Sequence, residues 1–292
     1  MSDLSAPSAV KSLMEKYGFR CRKSLGQNFL ADANIVNKIV SSALLEKDDV
    51  VVEIGPGLGV ITRAAAERSR AVVSLELDRA LLPILEETLQ EYKNINIVQG
   101  DAMEASFDNL VETCTGHRGQ YKLIANLPYY ITTPVIMRLL LNSFNISVLV
   151  IMVQQEVAER LAAPPGGKEY GSLSVAVQYF TESQYLFKVP RTVFIPKPDV
   201  DSAVVRLVKR PKPPVEVSDE DLFFKVVRGS FGQRRKTLLN SLDSAFTNIS
   251  RERIKYILQE TGIDPRRRGE TLSIKEFAVI AEALYREVNG IE

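Results

Sequence analysis

Residues 51–59 read Val-Val-Glu-Ile-Gly-Pro-Gly-Leu-Gly, an apolar strand running into a glycine-rich turn, and a helix carrying Ile61, Ala64, Ala65 and Ala66 follows. A strand, tight turn and helix in that order open a nucleotide- or cofactor-binding α/β unit. The glycines stand at 55, 57 and 59, one place short of the third glycine in a G-x-G-x-x-G dinucleotide turn, so a pyrophosphate is not the favoured ligand. Glu53, inside the strand, would repel phosphates and suits a cofactor that carries an ammonium and a sulfonium. The turn points to S-adenosylmethionine.

Three further strand ends extend this reading. The strand at 71–76 ends in Glu76, 17 places beyond Gly59. That is near the interval of about 20 at which doubly wound folds place a ribose-binding acid. The strand at 95–98 leads to Asp101, placed to accept from an adenine amino group. The fourth strand runs into Ile-Ala-Asn-Leu-Pro-Tyr-Tyr-Ile at 124–131. There Asn126 offers a side-chain acceptor, Pro128 restricts Leu127 and so fixes the direction of its carbonyl, and Tyr129 offers a stacking face. Two acceptors and a ring suit the exocyclic amino group of a flat base. Taken singly, each acid reads first as a solvated loop residue, and the Asn-Leu-Pro-Tyr stretch equally as an ordinary turn. Gly55, Glu76, Asp101 and Asn126 at four strand ends in chain order point to one site, because ligands of open α/β sheets collect at those carboxyl edges.

Four stretches together resemble the ribosomal RNA adenine N6,N6-dimethyltransferase family, closest to its bacterial small-subunit branch: Ser24 to Leu30, Glu53 to Gly59, Asn126 to Tyr129, and Phe194 to Ser202. The resemblance runs from about Tyr17 to Tyr285. It implies a Rossmann-like S-adenosylmethionine-dependent methyltransferase sheet of α/β class with a small C-terminal helical domain. It implies Gln27, Asn28 and Leu30 as cofactor contacts beside Glu53, Gly55, Gly57, Glu76, Asp101 and Asn126. Asn126, the Leu127 carbonyl, Tyr129 and Phe194 become the residues that hold and sandwich a flipped adenine, Phe194 reading equally as a core residue. The implied substrate is a pair of adjacent adenosines in a hairpin loop near the 3′ end of 16S rRNA within the small ribosomal subunit, modified late in subunit assembly.

The layout agrees with that fold. Apolar strands at 50–54, 71–76, 95–98, 122–126 and 146–153 alternate with helices, which predicts a parallel sheet covered on both faces. Thr133 and Pro134 read as the cap and first turn of a helix over 135–141. Ser172 to Phe180 reads as a strand forming an antiparallel edge hairpin with 202–208. The Pro-rich stretch 209–214 marks a boundary between domains at 1–210 and 211–292, the second built from helices near 219–231, 235–247, 251–261 and 273–288.

The net charge of +1 hides a segregation: +3 over residues 1–30, −7 over 31–184 and +5 over 185–292. Basic ends around an acidic middle suggest phosphate contacts by the ends. Arg20, Arg22 and Lys23, then Arg234, Arg235 and Lys236, then Arg266, Arg267 and Arg268 are the candidate RNA contacts. Two distant cysteines and a single histidine, His117, offer no metal set. The strongest apolar run, 146–153, is too short to span a bilayer, and the polar N-terminus lacks the apolar core of a signal peptide. A cytoplasmic, metal-free monomer is expected. Rival readings are a macrolide-resistance-type 23S rRNA adenine methyltransferase, a non-catalytic RNA-binding assembly factor, and a small-molecule or DNA amino methyltransferase.

Overall fold

The computed structural model describes residues 4, 6–233 and 235–290. The chain divides into two compact units: Met1–Ala158 with Glu182–Lys209, and Glu159–Thr181 with Arg210–Glu292.

The first unit is built on seven strands: β1 (Val50–Ile54), β2 (Ala71–Glu76), β3 (Ile95–Gln99), β4 (Tyr121–Asn126), β5 (Ile146–Gln154), β6 (Thr181–Val189) and β7 (Ser202–Lys209). They lie side by side in the order β3-β2-β1-β4-β5-β7-β6. The first five run parallel, and β7 is antiparallel to β5. Strand β1 lies mid-sheet with all five residues buried, which accounts for its unbroken apolar reading. On one face the helix Ala33–Ser42 buries Val36, Ile39 and Val40 in a core with Ile61, Ala65, Val72 and Val150. Asp32 caps it, its side chain accepting from the Ile35 amide at 3.0 Å. A second core gathers Val10 of the helix Pro7–Lys16 with Phe19, Phe29, Leu81 and Leu85.

Because the strand order reverses on either side of β1, a crevice opens at the carboxyl ends of β1 and β4. A short antiparallel ribbon pairs Phe29–Leu30 with Phe194–Ile195, bringing the N-terminal loop and the Phe194 segment to that crevice.

Two expectations are corrected. Ser172–Phe180 is a helix, and the strand begins only at Thr181, so β7 lies between β5 and β6 (181–189) rather than pairing with 172–180. A nine-residue stretch rich in β-branched and aromatic residues and buried on most sides carries no period to separate helix from strand. The helix behind the Asn126 motif is Thr132–Leu141, with Ile131 as its cap. It starts before Thr133 because the Pro128 carbonyl accepts from both the Ile131 amide (3.2 Å) and the Thr132 hydroxyl (3.0 Å), winding the turn early.

The second unit holds the helices Ser172–Phe180, Glu220–Phe231, Leu238–Ala245, Arg251–Glu260 and Ile274–Asn289. Asp219, Thr237, Ser250 and Ser273 each cap one with a side-chain oxygen. Tyr179 packs 5.0 Å from Phe223, ring centre to ring centre.

Candidate active site

The crevice is a cavity whose wall takes Gly55, Gly57, Glu76, Leu77, Asp101 and Asn126 from the strand ends. Leu127, Pro128 and Tyr129 line it beyond β4, with Gln27, Asn28 and Leu30 from the N-terminal loop and Phe194 from the ribbon. Residues as far apart in sequence as Gln27 and Phe194 thus share one wall. The Gly55 amide donates to the Leu75 carbonyl at 3.0 Å, locking the turn onto β2. Gly57 has φ +61°, and a Cβ there would sit 3.1 Å from Phe29 Cδ1, so any other residue would strain the turn and press on the loop.

Glu76 is buried, and one carboxylate oxygen accepts from the Asp78 amide at 2.7 Å. Burial pushes its carboxyl up to about 7; the Asp78, Gly57 and Leu77 amides pull it back, and the Asp78 charge pushes it up further. Asp101 accepts from the Met103 amide through Oδ1 at 2.7 Å. Among the described residues the wall contains two carboxylates and no lysine or arginine. Such a wall favours a cationic nucleoside over a phosphorylated one.

Glu53 departs from expectation. It is 1% exposed, stays off the cavity wall, and its Oε2 accepts from the Ser74 hydroxyl at 3.2 Å. Burial pushes this carboxyl up to about 7, with the Thr62 and Ser74 hydroxyls opposing and the Glu76 charge assisting. A strand buried on both faces gives no signal of which side its one polar residue faces.

At the end of β4, neither the Asn126 side-chain amide nor the Leu127 carbonyl has a hydrogen-bond partner among the described residues. The Leu127 amide donates to the Met152 carbonyl at 3.1 Å, holding that peptide in place. Tyr129 shares a hydrogen bond of 2.8 Å with the hydroxyl of buried Ser202, which fixes its ring. Phe194 is 3% exposed; it packs in the core and also lines the cavity. Leu77 on the cavity wall, and Asp78 and Ser202, which bond to Glu76 and Tyr129 from behind it, are residues to which the motif reading gives no role. Asp78 stands two places beyond Glu76 at the same strand end, and that placement is a usable signal.

The basic clusters are less uniform than their sequence suggests. Arg22 lies 3.3 Å from Asp78, Arg266 bonds Asp264, and Arg267 is held by Glu276 and the Thr271 carbonyl. These three guanidinium groups are engaged within the fold. Arg20, Arg235, Lys236 and Arg268 are exposed. Arg234 and the Lys23 side chain lie outside the described residues. Among the described residues no cluster of metal-ligating side chains is present, and no helix is long and apolar enough to cross a membrane.

Two curated relatives are named ribosomal RNA small subunit methyltransferase A. The protein of Geobacillus sp. (strain WCH70) is 53% identical over 97% of this chain and 98% of its own. That of Pelotomaculum thermopropionicum is 55% identical over 96% of this chain and 97% of its own. A crystal structure of the 23S rRNA methyltransferase ErmE superposes with a TM-score of 0.68 at 27% identity, covering 88% of this chain and all of that one. A dimethyladenosine transferase from Plasmodium falciparum shares the fold, with a TM-score of 0.74 at 24% identity over 90% of this chain and 98% of its own. The family model described as ribosomal RNA adenine dimethylase matches residues 18–283, a span that takes in the whole cavity and most of the second unit, and the chain belongs to that family.

Proposed function

We propose that this chain dimethylates N6 of two adjacent adenosines in a hairpin loop near the 3′ end of 16S rRNA, within the small ribosomal subunit, late in its assembly and in the cytoplasm. Family membership makes it an enzyme, an rRNA adenine dimethyltransferase that uses S-adenosylmethionine. The finer target is supported by the relatives named for the small subunit at 53% and 55% identity, against 27% for the 23S enzyme. Adjacency of the adenosines and the hairpin follow from the resemblance of the four motifs to the small-subunit branch.

The cavity fits the cofactor, since its polar lining is carboxylates, side-chain amides, tyrosines and backbone, without a cation among the described residues. Glu76 would hold the ribose hydroxyls, Asp101 the adenine amino group, and the Gly55–Gly57 turn and Asn28 the remainder. When bound, S-adenosylmethionine supplies an electrophilic methyl group on a positively charged sulfur.

The observation that carries the mechanism is a pair of acceptors without a partner among the described residues, Asn126 Oδ1 and the Leu127 carbonyl, on consecutive residues that both line the cavity. The N6 lone pair of adenine is delocalised into the ring, which makes the nitrogen a poor nucleophile. If each acceptor takes one N6 hydrogen, the nitrogen moves toward tetrahedral geometry and its lone pair is aimed into the cavity. Such orientation can contribute up to about 7–11 kcal/mol in well-aligned intramolecular models. No carboxylate base is required at position 126, because the methylated nitrogen is cationic and acidic and releases its proton to water. Tyr129, with its hydroxyl fixed on Ser202, and Phe194 would stack on the extruded base, each contributing about 1–3 kcal/mol.

Incubation with methyl-labelled S-adenosylmethionine of both subunits from cells lacking the enzyme tests the target. Label is expected in adenosines of the small subunit. Label in the large subunit would favour the 23S reading, and none in either would favour a non-catalytic assembly factor. Asn126→Ala should keep S-adenosylhomocysteine affinity within a few fold and slow transfer by about 10²-fold or more, the scale for removing one oriented polar group at a reacting centre. Near wild-type turnover in that variant overturns the orientation mechanism.

A further inference from the structure

Asp78 is an ionisable residue for which methyl transfer, as described above, has no use. It is 2% exposed, yet every polar group of its side chain and its amide is bound. Oδ2 accepts from Gln27 Nε2 at 2.7 Å, and Oδ1 accepts from the Ala80 amide at 3.1 Å and lies 3.3 Å from Arg22 Nη1. Its own amide donates to Glu76 Oε1 at 2.7 Å. Gln27 closes the ring, accepting from the Arg22 amide at 2.7 Å through Oε1. One buried carboxylate therefore joins the strand end that carries Glu76 to the N-terminal loop, whose residues Leu25 to Leu30 form one wall of the cavity. Arg22 is the only cation on that carboxylate among the described residues, and it reaches it from outside, its side chain 58% exposed.

We propose that Asp78 and Arg22 are positioning residues that latch the N-terminal loop over the cofactor cavity, and that Arg22 acts there rather than on RNA phosphates. The proposal rests on the reading of the cavity as the S-adenosylmethionine site. Removing Arg22 leaves a buried carboxylate without its counter-charge, and the Gln27 bond is then the one side-chain tie left between Asp78 and the loop, whose far end is pinned by the ribbon of Phe29–Leu30 with Phe194–Ile195. The loop opens more often, and a cofactor bound behind it escapes faster. Gln27 is accordingly part of the clasp, its amide already shared between Arg22 and Asp78.

The test uses the full chain with S-adenosylhomocysteine as the probe. Arg22→Ala should raise the calorimetric Kd about tenfold, because it leaves a buried carboxylate without the one cation that reaches it. KM for S-adenosylmethionine should rise while kcat at saturation changes little. Arg22→Lys, which restores the charge, should recover most of the affinity, and Lys11→Ala, an equal charge change on the exposed face of the first helix, should leave Kd alone. In the Asp78→Asn background Arg22→Ala should cost nothing further. Amide hydrogen exchange over residues 24–28 of the ligand-free protein should quicken in Arg22→Ala, independently of any cofactor. Unchanged Kd and unchanged exchange overturn the latch, and a flatter salt dependence of subunit binding in the same variant would return Arg22 to the RNA surface. Failure of the wild type to bind S-adenosylhomocysteine would sink the cofactor reading instead, with the exchange measurement still deciding the latch.

Discussion

At Glu53 a carboxylic acid is kept inside a strand with Ser74 as its hydrogen-bond donor, and its pKa rises from 4.5 to about 7. Because the folded-state value exceeds the unfolded one, this group favours the fold at low pH, and that contribution fades as pH climbs from 4.5 through about 7. Glu53→Gln keeps the shape and remains neutral. Relative to wild type it should gain stability between pH 5 and pH 8, by up to about 3 kcal/mol. Urea denaturation across that range checks it; a difference that stays constant with pH would mean that Glu53 is not protonated in the fold. The same residue shows where reading residues one at a time stops. Glu76, Asp101 and Asn126 announce themselves because a polar residue at a strand's carboxyl end has a defined outlet. A polar residue inside a doubly covered strand has none, and only packing reveals that Glu53 faces Ser74 and Thr62 instead of the cavity.

Elements with a clear period or a clear cap are legible in the sequence, and those without are not. The helices near 219–231, 251–261 and 273–288 carry Asp219, Ser250 and Ser273 just ahead of amphipathic runs, and each cap forms its bond. Ser172–Phe180 has neither signal, being apolar on most sides, and its β-branched residues read as strand. The ribbon of Phe29–Leu30 with Phe194–Ile195 is invisible for another reason: two residues of extended chain, paired with residues in a remote part of the sequence, leave no local pattern. Within the second unit one position reverses a general expectation about helix composition. Gly229 stands in the helix Glu220–Phe231, where glycine to alanine ordinarily stabilises by about 1 kcal/mol. A Cβ there would lie 2.7 Å from Ala245 Cβ on the helix Leu238–Ala245. Gly229→Ala should therefore destabilise by about 1–3 kcal/mol as the helices are forced apart. A rise in melting temperature would show that the two helices separate without cost.

For the whole molecule, the acidic middle and basic ends are visible by counting charges, but counting cannot show which cations are already paired. Arg266 and Arg267 bond within their own unit, which leaves the exposed Arg268 and the pair Arg235 and Lys236, exposed ahead of the Thr237 cap, as the phosphate-binding candidates of that unit. Replacing Arg235 and Lys236 by Ala should weaken small-subunit binding and flatten the log-log salt slope by about 0.7–0.9 for each phosphate no longer neutralised. Cofactor affinity should not change; an unaltered slope would make them a solvated surface. The division of the chain has a consequence for biosynthesis. The first unit's sheet cannot be finished until β6 and β7 emerge, after the excursion at 159–181, and the second unit's first helix is made well before the Phe223 and Phe231 that cover its neighbourhood. Neither core matures in simple N-to-C order. A chain cut at 210 would complete its sheet yet strand Tyr170 and Tyr179 without their partners Phe231 and Phe223, giving a sticky tail rather than a clean catalytic domain.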